Sequence, residues 1–224
     1  SDLMVLLART TPREEVQRDS DGMSVFLFDM RALPGMTIKP IATMMNHSTT
    51  QVFFEDVLLP EDALVGNEGS GFRYILDGMN AERILIAAEC IGDGRFFLDR
   101  AVSYANERVV FDTPIGRHQG VQFPLAAAYM DLRAADLVRF DAAARFDAGT
   151  DCAAQANMAK YLASRAAWAA ANACIDTLGG MGFAREYDVE RKFRETRLYQ
   201  VAPVSNNLVL AHVATHVLGL PKSY

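Results

Sequence analysis

Glu82 and Glu89 stand seven residues apart in the segment DGMNAERILIAAE, with Asn80 and Arg83 beside them. Seven residues return a side chain to nearly the same side of an α-helix, so the two carboxylates share one face. A carboxylate held in an apolar pocket is equipped for general-base work, because desolvation raises the basicity of such groups. The plainer reading is a solvated helix face with an ordinary charge pair. Farther along, LGGMGF (178–183) places glycines where a backbone can come close to a flat or phosphorylated ligand. It is not a dinucleotide fingerprint, which must follow a strand and open a helix, so its plain reading is a helix-ending turn. His212 and His216 have the four-residue spacing of a metal pair, but no third ligand stands near them and no metal site is expected. YDVERKFRETR mixes both signs of charge, as in a solvated face or an intersubunit salt-bridge network. Ser164, Ser205 and Ser223 lack the GxSxG surroundings of a hydrolase nucleophile.

The elements that must position these groups change character along the chain. LMVLLART, MSVFLFDM, GMTIKPI and TQVFFEDVLL are short apolar runs separated by polar connections, and they predict antiparallel strands within residues 1–66. The first begins almost at residue 1, so further strands are expected outside this sequence. From Gly69 the apolar residues recur at helical spacing: Ile75, Met79, Leu85, Ile86, Ile91, Phe97, Val102. Gly92 and Gly94 are expected to loosen this first long helix midway. A second helix is predicted over 121–148 with Gly149 as its terminator, and a third from an N-cap at Asp151 to Gly179-Gly180. A short helix around YDVERKFRETR and a last one around SNNLVLAHVATHVLG complete the set.

With half of its 224 residues hydrophobic and 22% charged, the chain has the balance of a globular protein. A net charge of -6 without a basic stripe speaks against nucleic acid as a partner. No apolar run approaches the roughly 20 residues of a bilayer span, so no membrane partner is expected. Cys90, Cys152 and Cys174 are odd in number and form no CxxC, which reads as reduced thiols filling a core in a cytoplasmic protein.

Three motifs, in order, carry a resemblance. VFFEDVLLPEDALVGNEGSGF resembles the end of the middle β-domain and the start of the helical domain of acyl-CoA dehydrogenases. ERVVFDTPIGRHQGVQF resembles that family's loop and second-helix start, and DTLGGMGFAREYDVERKFRETRLYQ its late glycine turn and following helix. The resemblance implies an α+β, mostly α fold: a partial antiparallel β-domain (1–66), then an acyl-CoA dehydrogenase-like four-helix bundle (67–224).

In chemistry it implies α,β-dehydrogenation of an acyl-CoA thioester, with a glutamate removing a proton and a hydride passing to FAD. In most members the base stands near the carboxy terminus, where this chain has Pro203 in YQVAPVSNN. Proline offers neither a base nor an N–H. In a minority, including long-chain and isovaleryl types, the base lies on the first long helix, at the place of Glu82. Glu82 is thus the implied base, with Asn80, Ala81 and Arg83 around the acyl-CoA. Arg108, Phe111, His118 and Gln119 match positions contacting FAD across a subunit interface. Asp176, Gly179 and Gly180 match the cofactor-facing turn, and Ser205 and Asn207 fall where polar residues touch FAD. Asp176 stands where Gln is usual. The implied partners are an acyl-CoA, an acceptor such as an electron-transfer flavoprotein, and further copies in a homodimer or homotetramer. Without an amino-terminal domain the isolated segment is expected to be inactive and to hold FAD weakly. A non-catalytic oligomerisation module and a related flavin oxidase are the alternatives.

Overall fold

Ser24 and Phe28 are buried and Phe26 between them is half-buried, while Leu27 and Asp29 are exposed, the alternation of a strand whose one face is covered along its length. They belong to β2 (Met23–Asp29), which pairs antiparallel with β1 (Leu3–Arg9) from Leu3↔Asp29 to Arg9↔Met23. The computed structural model describes residues 2–31, 33–45 and 48–223. A second antiparallel pair joins β3 (Met36–Ile41) to β4 (Thr49–Phe54), and a two-residue strand, β5 (Leu64–Val65), adds to the other edge of β2. The four predicted strands are present within these bounds; β5 is too short to have left a periodic signal.

The chain forms two compact units, Ser1–Met79 and Asn80–Tyr224. In the first, Gly71 lies on the sheet so closely that a β-carbon there would sit 2.5 Å from the Ser24 carbonyl carbon, and only glycine fits.

Helices make up the second unit, and the fold class is the expected one: mostly α, with small antiparallel sheets. The first long helix, α1 (Gly71–Glu107), runs without a break through Gly92 and Gly94, contrary to the expected loosening. A β-carbon on Gly94 would meet Leu132 at 2.4 Å, so this glycine lets a neighbouring helix close in, and the packing offsets its poor helix propensity. A hairpin of β6 (Val109–Val110) and β7 (Thr113–Pro114) follows, turning through Phe111 and Asp112 at φ 50 and 60°. Then come α2 (Gln119–Asp147) and α3 (Ala153–Leu178). Gly149 ends α2 at φ 65°, as predicted. Asp151, the expected N-cap, stands one residue before the observed N-cap Cys152, its carboxylate accepting from the Ala153 N–H at 3.0 Å.

Ala156, Ala159, Ala163, Ala167, Ala170 and Ala171 on α3 have no exposed surface. Their spacing of three and four forms a smooth stripe on which α1 and α2 pack closely, with Phe97 and Leu132 filling the layer. The chain then turns through Gly179–Phe183 into α4 (Val189–Thr196) and ends in α5 (Asn206–His212), continued by a π-turn over Val213–Val217. All three cysteines are free and buried, as expected of core thiols, and burial pushes the Cys174 thiol up to about 12. Among the described residues no helix is long and apolar enough to cross a membrane.

Candidate functional site

The second unit sorts the candidate residues into two groups at opposite ends of α1. At its near end Glu82 is exposed, Asn80 and Ala81 are half-buried, and Arg83 Nη1 donates to Asn80 Oδ1 at 3.2 Å. Arg83 lies partly under neighbouring chain, and this burial lowers its guanidinium pKa while adjacent Glu82 opposes the shift. Its Nε is buried without a hydrogen-bond partner. A guanidinium carries five donors, so an orphaned one beside an exposed carboxylate marks a place where an acceptor would be welcome.

About two and three turns along α1 from Glu82 the side chains are taken by the fold itself. Tyr199 Oη donates to Glu89 Oε1 at 2.5 Å, and burial with this bond drives the phenol pKa up. Thr196 Oγ1 donates to the buried Asp93 Oδ2 at 2.6 Å, and Lys192 Nζ reaches Asp93 Oδ1 at 2.6 Å. Glu89 therefore shares the helix face of Glu82 but is engaged by Tyr199. The charged stretch 187–197 is not a solvated face: Glu195 and Thr196 are buried. Its ion pairs are internal, Arg191 with Asp188 and Glu195, Arg194 with Glu190, and Lys192 with Asp93. Spacings of three and four explain the pairs of Arg191 and Arg194, and the Lys192–Asp93 pair ties α4 to α1.

Ser205 and Asn207 lie at the start of α5, where Ser205 Oγ caps the helix by accepting from the Leu208 N–H at 3.3 Å. This segment belongs with the Glu82 end: the charge of Arg83 bears on His212 of α5 and on Lys160 of α3. Pro203 is exposed just before it. Lys160 and Tyr199 were missed in the sequence. Lys160 could have been noticed as a lone cation on the alanine stripe of α3.

At the far end of α1 a cleft of about 460 Å³ is lined by Arg108, Arg100, Tyr104, Met181 and Tyr187. It joins Arg108 to the glycine turn. Gly179 and Gly180 are exposed, with open space where their β-carbons would be. Asp176, His118 and Gln119 are exposed, and the Phe111 ring is 93% exposed on a left-handed backbone. A bulky residue at positive φ is strained, and such strain collects where function requires a particular presentation. At 1.5 Å per residue, roughly 37 Å separates Glu82 from Glu107, so one chain does not bring the two groups together. His212 and His216 stack with ring centroids 4.8 Å apart, and no metal-binding cluster occurs among the described residues.

One end thus holds an exposed carboxylate beside a guanidinium with one unpartnered donor, and the other a cleft shared by Arg108 and the glycine turn. Residues 69–218 match the family model described as acyl-CoA dehydrogenase, C-terminal domain. The chain belongs to the acyl-CoA dehydrogenase family. Acyl-CoA dehydrogenase FadE12 of Mycobacterium tuberculosis is 43% identical over 195 residues, covering 85% of this chain and 50% of the relative. An acyl-CoA dehydrogenase of Bacillus subtilis is 32% identical over 222 residues, covering 98% of this chain and 57% of its own length. Among solved structures, a glutaryl-coenzyme A dehydrogenase in complex with glutaryl-CoA superposes with a TM-score of 0.91 at 30% identity, covering all of this chain and 56% of that one. The chain thus spans about half the length of the acyl-CoA dehydrogenases it matches, including the helical domain.

Proposed function

We propose that this chain is the carboxy-terminal portion of an FAD-dependent acyl-CoA dehydrogenase in which Glu82 is the base. On this reading, residues 1–66 are part of the middle β-domain and 67–224 the helical domain. The observation that carries it is the pairing of an exposed Glu82 carboxylate with the unpartnered, buried Nε of Arg83. Membership supplies the family chemistry, and this corner has groups suited to it.

Glu82 takes the proton from the carbon beside the thioester carbonyl. Asn80, Ala81 and Arg83 surround the acyl-CoA, and a hydrogen bond from a desolvated donor is strengthened by the apolar surroundings of α1. Bound FAD supplies the acceptor for the hydride that leaves the next carbon.

The residues fit such a cofactor. Gly179 and Gly180 leave open space for a flat group to approach the backbone. Arg108, which shares a cleft with Met181 of that turn, offers the forked cation that suits a pyrophosphate. Phe111, His118, Gln119 and Asp176 are exposed around the same end, and Ser205 and Asn207 would meet the cofactor at the other. Since about 37 Å of helix divides the two ends, the groups would serve two different FAD molecules in an assembly of chains. A homodimer or homotetramer, an acyl-CoA substrate, an electron-transfer flavoprotein as acceptor and a cytoplasmic location complete the proposal.

The test is flavin retention. The enzyme carrying this segment, passed through gel filtration after FAD addition, is expected to keep a visible flavin band and to lose it on mixing with acyl-CoA. Arg108→Ala should weaken retention about tenfold or more, as expected when a charge-assisted contact worth about 1.5–3 kcal/mol is removed. Retention equal to that of the parent would remove Arg108 from the cofactor site.

A further inference from the structure

On the alanine stripe of α3 stands one side chain of a different kind. Lys160 has no exposed surface. Burying an ammonium costs stability unless its protons are matched, and here two acceptors from beyond α4 match them. Lys160 Nζ donates to the Val204 carbonyl at 2.6 Å and to Asn206 Oδ1 at 2.9 Å. Asn206 Nδ2 in turn donates to Ser164 Oγ at 3.1 Å, one turn farther along α3. From α1 the groups that bear on the ammonium are the buried Cys90 thiol and the Arg83 guanidinium, neither of which supplies a counter-charge in thiol form. Burial accordingly pulls the Lys160 pKa down to about 8. The charge is held by two dipoles of one loop rather than by a carboxylate.

That loop is anchored from its other side as well, by the Tyr199 Oη to Glu89 bond at 2.5 Å. Between the two anchors runs 200–204, and immediately beyond lie Ser205 and Asn207. An apolar residue of similar volume would pack equally well against alanines, and it would leave the Val204 carbonyl and the Asn206 amide without their partner. We infer that Lys160 is a positioning residue: its buried ammonium holds the 203–207 segment, and with it Ser205 and Asn207, against the end of the bundle that carries Glu82. The consequence for flavin rests on the proposed function; the clamp itself does not.

Hydrogen exchange on the full 224-residue chain tests the clamp. In Lys160→Met the amides of 204–209 are expected to exchange about tenfold faster, while those in the middle of α2 change less than about threefold. Asn206→Asp, which offers the ammonium a carboxylate, should preserve the protection. Should Lys160→Met fail to fold, Asn206→Ala removes one acceptor without touching α3 and should loosen the same amides selectively. Unchanged exchange at 204–209 in a folded variant, or equal acceleration in α2, overturns the clamp. The second arm is flavin retention by the flavin-loaded enzyme, expected to fall about tenfold in Lys160→Met. Faster exchange with unchanged retention upholds the clamp and removes Ser205 and Asn207 from the cofactor site.

Discussion

Glu82→Gln in the flavin-loaded enzyme is expected to lower kcat by about 10²–10⁴-fold, with acyl-CoA affinity changed by less than about threefold. Glutamine keeps the shape and the hydrogen-bonding reach of the side chain and removes its capacity to take a proton. The loss should therefore fall on the chemical step, read as the rate at which acyl-CoA bleaches the flavin band in a stopped-flow trace. Glu89→Gln is the control. Its carboxylate already accepts from Tyr199 at 2.5 Å, so that variant should cost stability before it costs turnover. Glu82→Gln turning over within about threefold of the parent would sink Glu82 as the base and mean that another group takes the proton.

Asp93→Ala is expected to destabilise the helical unit by about 3 kcal/mol, measured as the shift of its urea or thermal unfolding midpoint. Asp93 is buried, and that burial raises its pKa against the hydrogen bonds from Lys192 and Thr196, which lower it. Removing the carboxylate strands a buried hydroxyl and leaves the Lys192 ammonium only its longer pair with Glu195 at 3.7 Å. Because Lys192 retains some exposure, the cost should sit at the lower end of the range for broken buried pairs. In thermal terms this is about 6–12 °C for a unit of this size. Asp93→Asn, which can still accept from Thr196, should lose less. A shift below about 1 kcal/mol for Asp93→Ala would mean that α4 is held by its apolar face alone.

The long helices and the strands were legible because their periodicity is dictated by which side faces the core, and that demand is local. Gly94 misled for a complementary reason: its propensity is local, but the Leu132 contact that justifies it comes from another helix. The same limit explains Tyr199 and Lys160, whose partners stand across the bundle and leave no trace in spacing. The site residues were named from motif resemblance rather than from period. The geometry adds that Glu89, on the same face as Glu82, is already engaged, and that Arg83 has a donor to spare.

The distance along α1 carries a genetic corollary. If each flavin site draws Glu82 from one subunit and Arg108 from its neighbour, a dimer of Glu82→Gln subunits and, where flavin is scarce, a dimer of Arg108→Ala subunits each have two defective sites. Combined in a dimer, they leave one site with both defects and the other with none. Two defective alleles would then complement each other in a mixed assembly through its one intact site, while two alleles damaged at the same end of the helix would not.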